Sequence, residues 1–152
     1  MNVKHILAAV DFSDVTNAVV NAAESMALTF AAPATFMHVE APDPAFVGYE
    51  PGPQHVRDNV AKEVIADHQR IGEVRDRLQA DGVECHSIVV QGPIIDKILE
   101  EAERVNADMI VIGSHGHGML YDLVLGSVSE GVTRKATCPV LVVPDPSRSA
   151  TA

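Results

Sequence analysis

With 152 residues the chain is long enough to bury one full core and too short for two ordinary domains, so every motif has to be placed on one fold. Its 11 basic side chains stand against 21 acidic ones, a formal charge of −10 that repels nucleic-acid backbones and anionic lipid over most of the surface. Nucleic acid and membrane surfaces are therefore not the expected partners, although backbone N–H groups at a helix start can bind an anion without any lysine or arginine.

Met1-Asn2-Val3-Lys4 leads directly into a strand-like segment, His5–Val10, and no apolar run approaches membrane-spanning length; the expectation is a cytoplasmic protein. Ser13 or Asp14 is placed to cap a helix whose apolar stripe is Val15, Val19, Ala22, Ala23, Met26 and Phe30. A second strand, Ala34–Val39, is followed by Glu40–His55, which holds four prolines and two glycines and reads as a long irregular loop of the kind that often covers a site. A longer helix then carries Val56, Val60, Val64, Ile71, Val74 and Leu78 toward the sheet and ends near Gly82.

Cys85–Gln91 reads as the third strand. Gly92-Pro93 opens a helix that buries Ile94, Ile95, Ile98, Leu99 and Ala102, with Glu100, Glu101 and Glu103 on its wet side. The fourth strand is Met109–Gly113, and Ser127 with Glu130 has the spacing of a capping box at the start of a helix running to about Ala136. Pro139–Val143 is the fifth strand, and the chain after Pro144 reads as loose, giving a domain over 1–146 and a tail over 147–152. Strand and helix alternate throughout, so right-handed crossovers predict a doubly wound α/β fold: a parallel sheet with helices on both faces.

Ligands of such sheets lie beyond the carboxyl ends of the strands, where strand order reverses. The first strand delivers Asp11 there, the second ends at Val39, and the fourth delivers Gly113-Ser114-His115-Gly116-His117-Gly118; beyond Gly116, after nine intervening residues, come Gly126 and Ser127 at a helix start. Glycine-rich turns and a helix N-terminus at one sheet edge suit a phosphate group. The P-loop lysine is missing, as is the last glycine of the dinucleotide fingerprint. The residues alone leave two readings open, ordinary turn glycines or a polyphosphate cradle.

Other groups have plainer readings. Asp11 suits the N-terminal end of a helix dipole, and Ser13 and Ser127 suit helix caps. His115 and His117 form a pair with no evident third metal ligand. Cys85 and Cys138 have neither metal-ligand nor redox-pair spacing and read as small packed residues in a reducing compartment. His5, His38 and His86 lie on strands as packed or edge residues without a sign of catalysis.

The pattern Gly113-x2-Gly116-x9-Gly126-Ser127, set between Ile110-Val111-Ile112 and Cys138-Pro139-Val140-Leu141-Val142-Val143, resembles the nucleotide-binding branch of the universal stress protein family. The likeness covers nearly the whole chain, including Ile6-Leu7-Ala8-Ala9-Val10-Asp11-Phe12-Ser13 and Phe36-Met37-His38-Val39. It implies a five-stranded sheet ordered 3-2-1-4-5, an ATP site with Mg2+ carried by the nucleotide at the reversal between strands one and four, and a homodimer. Asp11 is then expected near the ribose, the Val39 backbone at the adenine edge, and Gly113, Ser114, His115 and Gly116 along ribose and phosphates. Gly126, Ser127, Val128 and Ser129 hold the phosphate chain.

The sequence departs from commoner members at His117, where an arginine often stands, and at Gly131, often a larger residue. The resemblance implies a stress or energy-state sensor with little or no hydrolysis that works through a regulatory protein partner. The motif holds no catalytic lysine or arginine and no evident general base. A slow ATP hydrolase and a dimeric interaction protein without nucleotide are the alternatives. In the implied strand order Pro139–Val143 is an open apolar edge, which a second copy would cover.

Overall fold

In the computed structural model, which describes residues 1–41, 53–116 and 125–147, strands and helices alternate without exception. They are β1 (Ile6–Ala9), α1 (Thr16–Phe30), β2 (Ala34–Glu40), α2 (Gln54–Ala80), β3 (Cys85–Gln91), α3 (Ile94–Arg104), β4 (Met109–Gly113), α4 (Ser127–Lys135) and β5 (Val140–Val143). All neighbouring strands are parallel, in the order β3-β2-β1-β4-β5, as the sequence pattern and the resemblance led one to expect.

Alternation along each strand divides the interior into two cores. Ile6, Ala8, Phe36 and Val111 face one way and pack with Val19, Val20 and Ala23 of α1 and Ile71 and Leu78 of α2. Leu7, Met37, Ile110 and Ile112 face the other way and pack with Ile98 and Ala102 of α3 and Val132 of α4. The central strands are thus apolar on both faces, which is why they read as continuous apolar runs. Gly131 has a structural reason: a Cβ there would collide with Ile95, so its absence lets α4 lie close on α3.

Four local expectations are corrected. Neither Ser13 nor Asp14 caps α1; Val15 occupies the N-cap position without a side-chain cap, because the Ser13 hydroxyl donates to Asp11 Oδ1 (2.6 Å) instead. The capping box at α4 does not form: Gly126 is the N-cap, Ser127 is the first helical residue, and Glu130 pairs with Arg134 (2.7 Å). Glu101 is not on the wet side of α3; it is buried, and two hydrogen bonds from Arg104 offset the loss of water around its charge. That carboxylate also holds the Arg104 guanidinium above its ordinary pKa.

The fourth correction concerns α2, which does not bury its whole apolar stripe. Only Ile71 and Leu78, in its second half, are buried, while Val56, Val60 and Val64 stay partly exposed. The helix ends at Ala80, near Gly82 as expected; the φ of 91° at Gly82 is a conformation that glycine adopts without strain. Most of the predicted Glu40–His55 loop falls on residues 42–52, outside the described residues, as do His117, Gly118 and residues 148–152; Glu40 itself completes β2 and His55 belongs to α2.

Candidate functional site

The register of the central strands sets the site. Ala9 lies level with Met37 on one side and Ile112 on the other, so β1, β2 and β4 release their chains at one edge. Val10 N–H donates to Met37 O (2.9 Å), Ser114 N–H to Val143 O (2.8 Å) and Gly92 N–H to Glu40 O (2.9 Å), which ties the departing backbones to the sheet. At this edge opens a cavity of about 600 Å³. It spans the point between β1 and β4 where the strand order reverses, the place where open α/β sheets take ligands.

Nine of the ten sequence-predicted site residues line this cavity: Asp11, Val39, Gly113, His115, Gly116, Gly126, Ser127, Val128 and Ser129. Ser114 lies behind the wall, buried. Its carbonyl oxygen accepts from Gly126 N–H (2.6 Å) and from the Ser129 hydroxyl (2.9 Å), binding the turn after β4 to the start of α4. Ser129 is therefore engaged through its hydroxyl with Ser114 O and Gly126 O (3.0 Å), so its part in the site is to hold the helix start in place.

The glycines owe their identity to the protein's own packing as well as to any ligand. A Cβ on Gly113 would collide with Val15, and one on Gly116 with the Asp11 carboxylate. At Gly126 a Cβ would stand 3.2 Å from both His115 Cα and Ser114 O. Gly126 has φ −75°, open to any residue, so close approach rather than turn geometry demands glycine there. The two readings left open by the sequence are thus compatible: these are turn glycines packed so tightly that backbone, not side chain, faces the cavity.

Asp11 is fixed by its own loop. Its Oδ1 accepts from Ser13 N–H (3.0 Å) and the Ser13 hydroxyl, and Phe12, with φ 58°, turns the chain between them. A left-handed conformation at an aromatic residue costs roughly 1–2 kcal/mol and persists only where its surroundings hold it. Here the Phe12 ring lies 4.6 Å from the His38 ring and 5.4 Å beneath the Arg70 guanidinium. His115 is held between two partners, Ser114 Oγ at 3.1 Å from Nδ1 and Asp145 Oδ2 at 3.3 Å from Nε2. Hydrogen bonds from the Ser147 backbone and side chain, with His115 adding to them, hold the Asp145 carboxyl below its ordinary range.

The opposite wall was not foreseen. His38, Glu40, Glu63, Asp67 and Gln91 line the cavity on the side of β2, β3 and α2. His38 is not a plain strand histidine: its Nδ1 lies 2.9 Å from Val10 O and its Nε2 3.4 Å from Asp67, which Arg70 also approaches at 3.5 Å. The available signal was period two, since His38 and Glu40 are alternate polar residues at the end of a strand that is apolar apart from Thr35. The half-buried Val60 and Val64 of α2 line the same cavity, which is where the unburied part of the helix stripe goes.

Among the described residues no group of three or more His, Cys, Asp or Glu is arranged to hold a metal ion, and no helix is long and apolar enough to cross a membrane. Cys85 is buried on β3, and loss of water pushes its thiol up to about 11; burial likewise raises Cys138.

Known proteins share both fold and sequence. Universal stress protein YxiE of Bacillus subtilis is 32% identical over 143 residues, which span 91% of this chain and 97% of that protein. The solved structure of protein MJ0577, from Methanocaldococcus jannaschii, superposes with a TM-score of 0.77 at 26% identity, covering 95% of this chain and 97% of its own. A universal stress protein of Archaeoglobus fulgidus, solved in complex with dAMP, has a TM-score of 0.67 at 23% identity over 94% of this chain and 99% of its own; at that identity it speaks for the fold. Residues 2–144 match the family model for universal stress proteins, and with the topology and glycine spacing above the chain belongs to the universal stress protein family.

Proposed function

We propose that this protein binds an adenine nucleotide, ATP with Mg2+, in the cavity at the β1–β4 reversal, and acts as a homodimeric sensor of stress or energy state with little or no hydrolysis. The observation that carries the reading is the polarity of the cavity. At one end lie the backbone around Gly113 and Gly116 and the start of α4 at Gly126 to Ser129, where the helix dipole favours an anion. At the other end lie Val39, Glu40 and the α2 wall, with apolar and hydrogen-bonding groups suited to a base. Asp11 follows β1, which lies between β2 and β4 in the sheet, and in this reading serves the sugar. The dAMP carried by the Archaeoglobus fulgidus neighbour adds support from a protein of the same fold.

In this reading the metal ion is carried by the phosphate oxygens, as magnesium commonly is, rather than by a protein cage. Turnover is slow because the motif supplies no lysine or arginine to take up the charge spread over a transferring phosphoryl group and no evident general base. The dimer forms through Pro139–Val143: β5 is the sheet edge, and all four of its residues are only partly covered by their own chain. Signal output runs through the 40–55 segment or the dimer surface to a regulatory protein partner.

The test is to identify any nucleotide released on denaturing freshly purified protein, then to titrate the emptied protein calorimetrically with ATP, ADP, AMP and cyclic AMP, with and without magnesium. Bound adenine nucleotide with slow turnover is the expected result. Rapid product formation would replace the sensor by a hydrolase, and absence of binding would leave a dimeric interaction protein. The dimer is tested separately: Val142→Lys should give monomer or insoluble protein in sedimentation, and an unchanged dimer places the interface elsewhere.

A further inference from the structure

Glu40 carries the one buried side-chain oxygen of the described residues without a hydrogen-bond partner, its Oε1. The residue closes β2, directly after Val39, and lines the cavity at the end opposite α4. Its backbone is fixed on both sides: Glu40 pairs in register with Gln91, and its carbonyl oxygen accepts from Gly92 N–H (2.9 Å). A buried acceptor without a donor is unfavourable in the empty protein, and a ligand that brings a donor to it recovers that loss. The same acceptor rejects a ligand that presents another acceptor, because both are then left unpaired without water.

Resting on the nucleotide reading above, we infer that Glu40 is a specificity-determining residue of this site: its Oε1 accepts a hydrogen bond from the exocyclic amino group of the base and selects 6-amino over 6-oxo purines. Three observations converge on the base as the donor. The α4 N-terminus favours the anion at its own end of the cavity, Asp11 follows β1, which lies between β2 and β4, and Val39, Val60 and Val64 line the same cavity as Glu40, an apolar setting for a ring. Glu63 and Asp67 of α2 lie along the same wall and add negative potential that favours a hydrogen-bond donor over an acceptor. Adenine meets this wall with an amino group, whereas hypoxanthine meets it with a carbonyl oxygen.

The experiment compares the affinities of ATP and inosine triphosphate, which differ at that group, for the wild-type protein and for Glu40→Gln and Glu40→Ala. Wild type should prefer ATP by about tenfold or more. In Glu40→Gln the amide can donate to the 6-oxo group, so the ATP:ITP ratio should fall at least about fivefold, with ITP affinity rising. Glu40→Ala should weaken ATP while leaving ITP equal or tighter. Thermal unfolding of the empty variants should show no loss of stability, because the side chain has no internal partner at Oε1 to lose. A ratio that falls less than fivefold in Glu40→Gln overturns the inference while the nucleotide reading stands. A wild-type protein that binds neither triphosphate overturns both.

Discussion

The two walls of the cavity are built by different physics. The wall of β4 and α4 is made of backbone: Gly113, Gly116 and Gly126 sit where a single added carbon would strike Val15, Asp11 or the 114–115 backbone. The wall of β2 and α2 is made of side chains: His38, Glu40, Glu63 and Asp67 line it, with Phe12 in contact with His38 and Arg70 with Asp67. One wall is rigid and tolerates no addition; the other is a set of pairwise contacts, each of which can be changed without blocking the site. Substitutions on the first wall should therefore act through shape, and those on the second through selectivity and small shifts in stability.

Gly126→Val should show the largest effect. It forces α4 away from the turn after β4, with an overpacking cost of about 1–3 kcal/mol, and should abolish measurable nucleotide binding in calorimetry while circular dichroism still reports a folded chain. Normal affinity in that variant would remove the α4 start from the site. Gly116→Ala comes next: the new methyl displaces the Asp11 carboxylate, so affinity should fall by about tenfold, an effect that Asp11→Ala should largely duplicate and not add to. Full additivity of the two would show that the glycine acts apart from Asp11.

The same contrast explains what could be read beforehand. Close backbone approach leaves a mark in sequence, because glycine at fixed spacing is its only solution, and Gly113, Gly116 and Gly126 do line one cavity. The continuous apolar strands gave away the parallel sheet for a similar reason, both faces being covered. The second wall left no such mark. His38 finds Asp67 across 29 positions of chain, and nothing in periodicity specifies which polar residue of a long helix meets which residue of a strand. Serine at a helix start was equally ambiguous: Ser13 and Ser127 have capping chemistry, yet Asp11 engages the first and Gly126 takes the cap position of the second.

On the side-chain wall, Asp67→Asn should lower stability by no more than about 1 kcal/mol, since the partly exposed pairs with His38 and Arg70 are screened, and thermal unfolding would record a shift of roughly 2–4 °C at most. A larger loss would show that the α2 wall is as demanding as the glycine wall. The smallest effect concerns the Asp145 latch on His115. Because its folded carboxyl lies below the ordinary value, the unfolded chain binds more protons, so the stabilisation is full above about pH 4 and is lost as pH falls through the folded value. Asp145→Asn should therefore melt earlier than wild type at pH 7, with the gap narrowing in acid; a gap independent of pH would assign the effect to packing.

The distribution of burial along α2 has a mechanical consequence. Its second half is pinned to the sheet by Ile71 and Leu78, while Val60, Glu63, Val64 and Asp67 of the first half face the cavity. A helix is stiff over such a distance, and with 1.5 Å of rise per residue Gln54 lies about 25 Å from Ile71. A tilt of about 5° pivoting at Ile71 would carry the Gln54 end through about 2 Å. The helix has the geometry of a lever with a short anchored arm and a long one, so that a small movement beside the cavity would be larger at its Gln54 end.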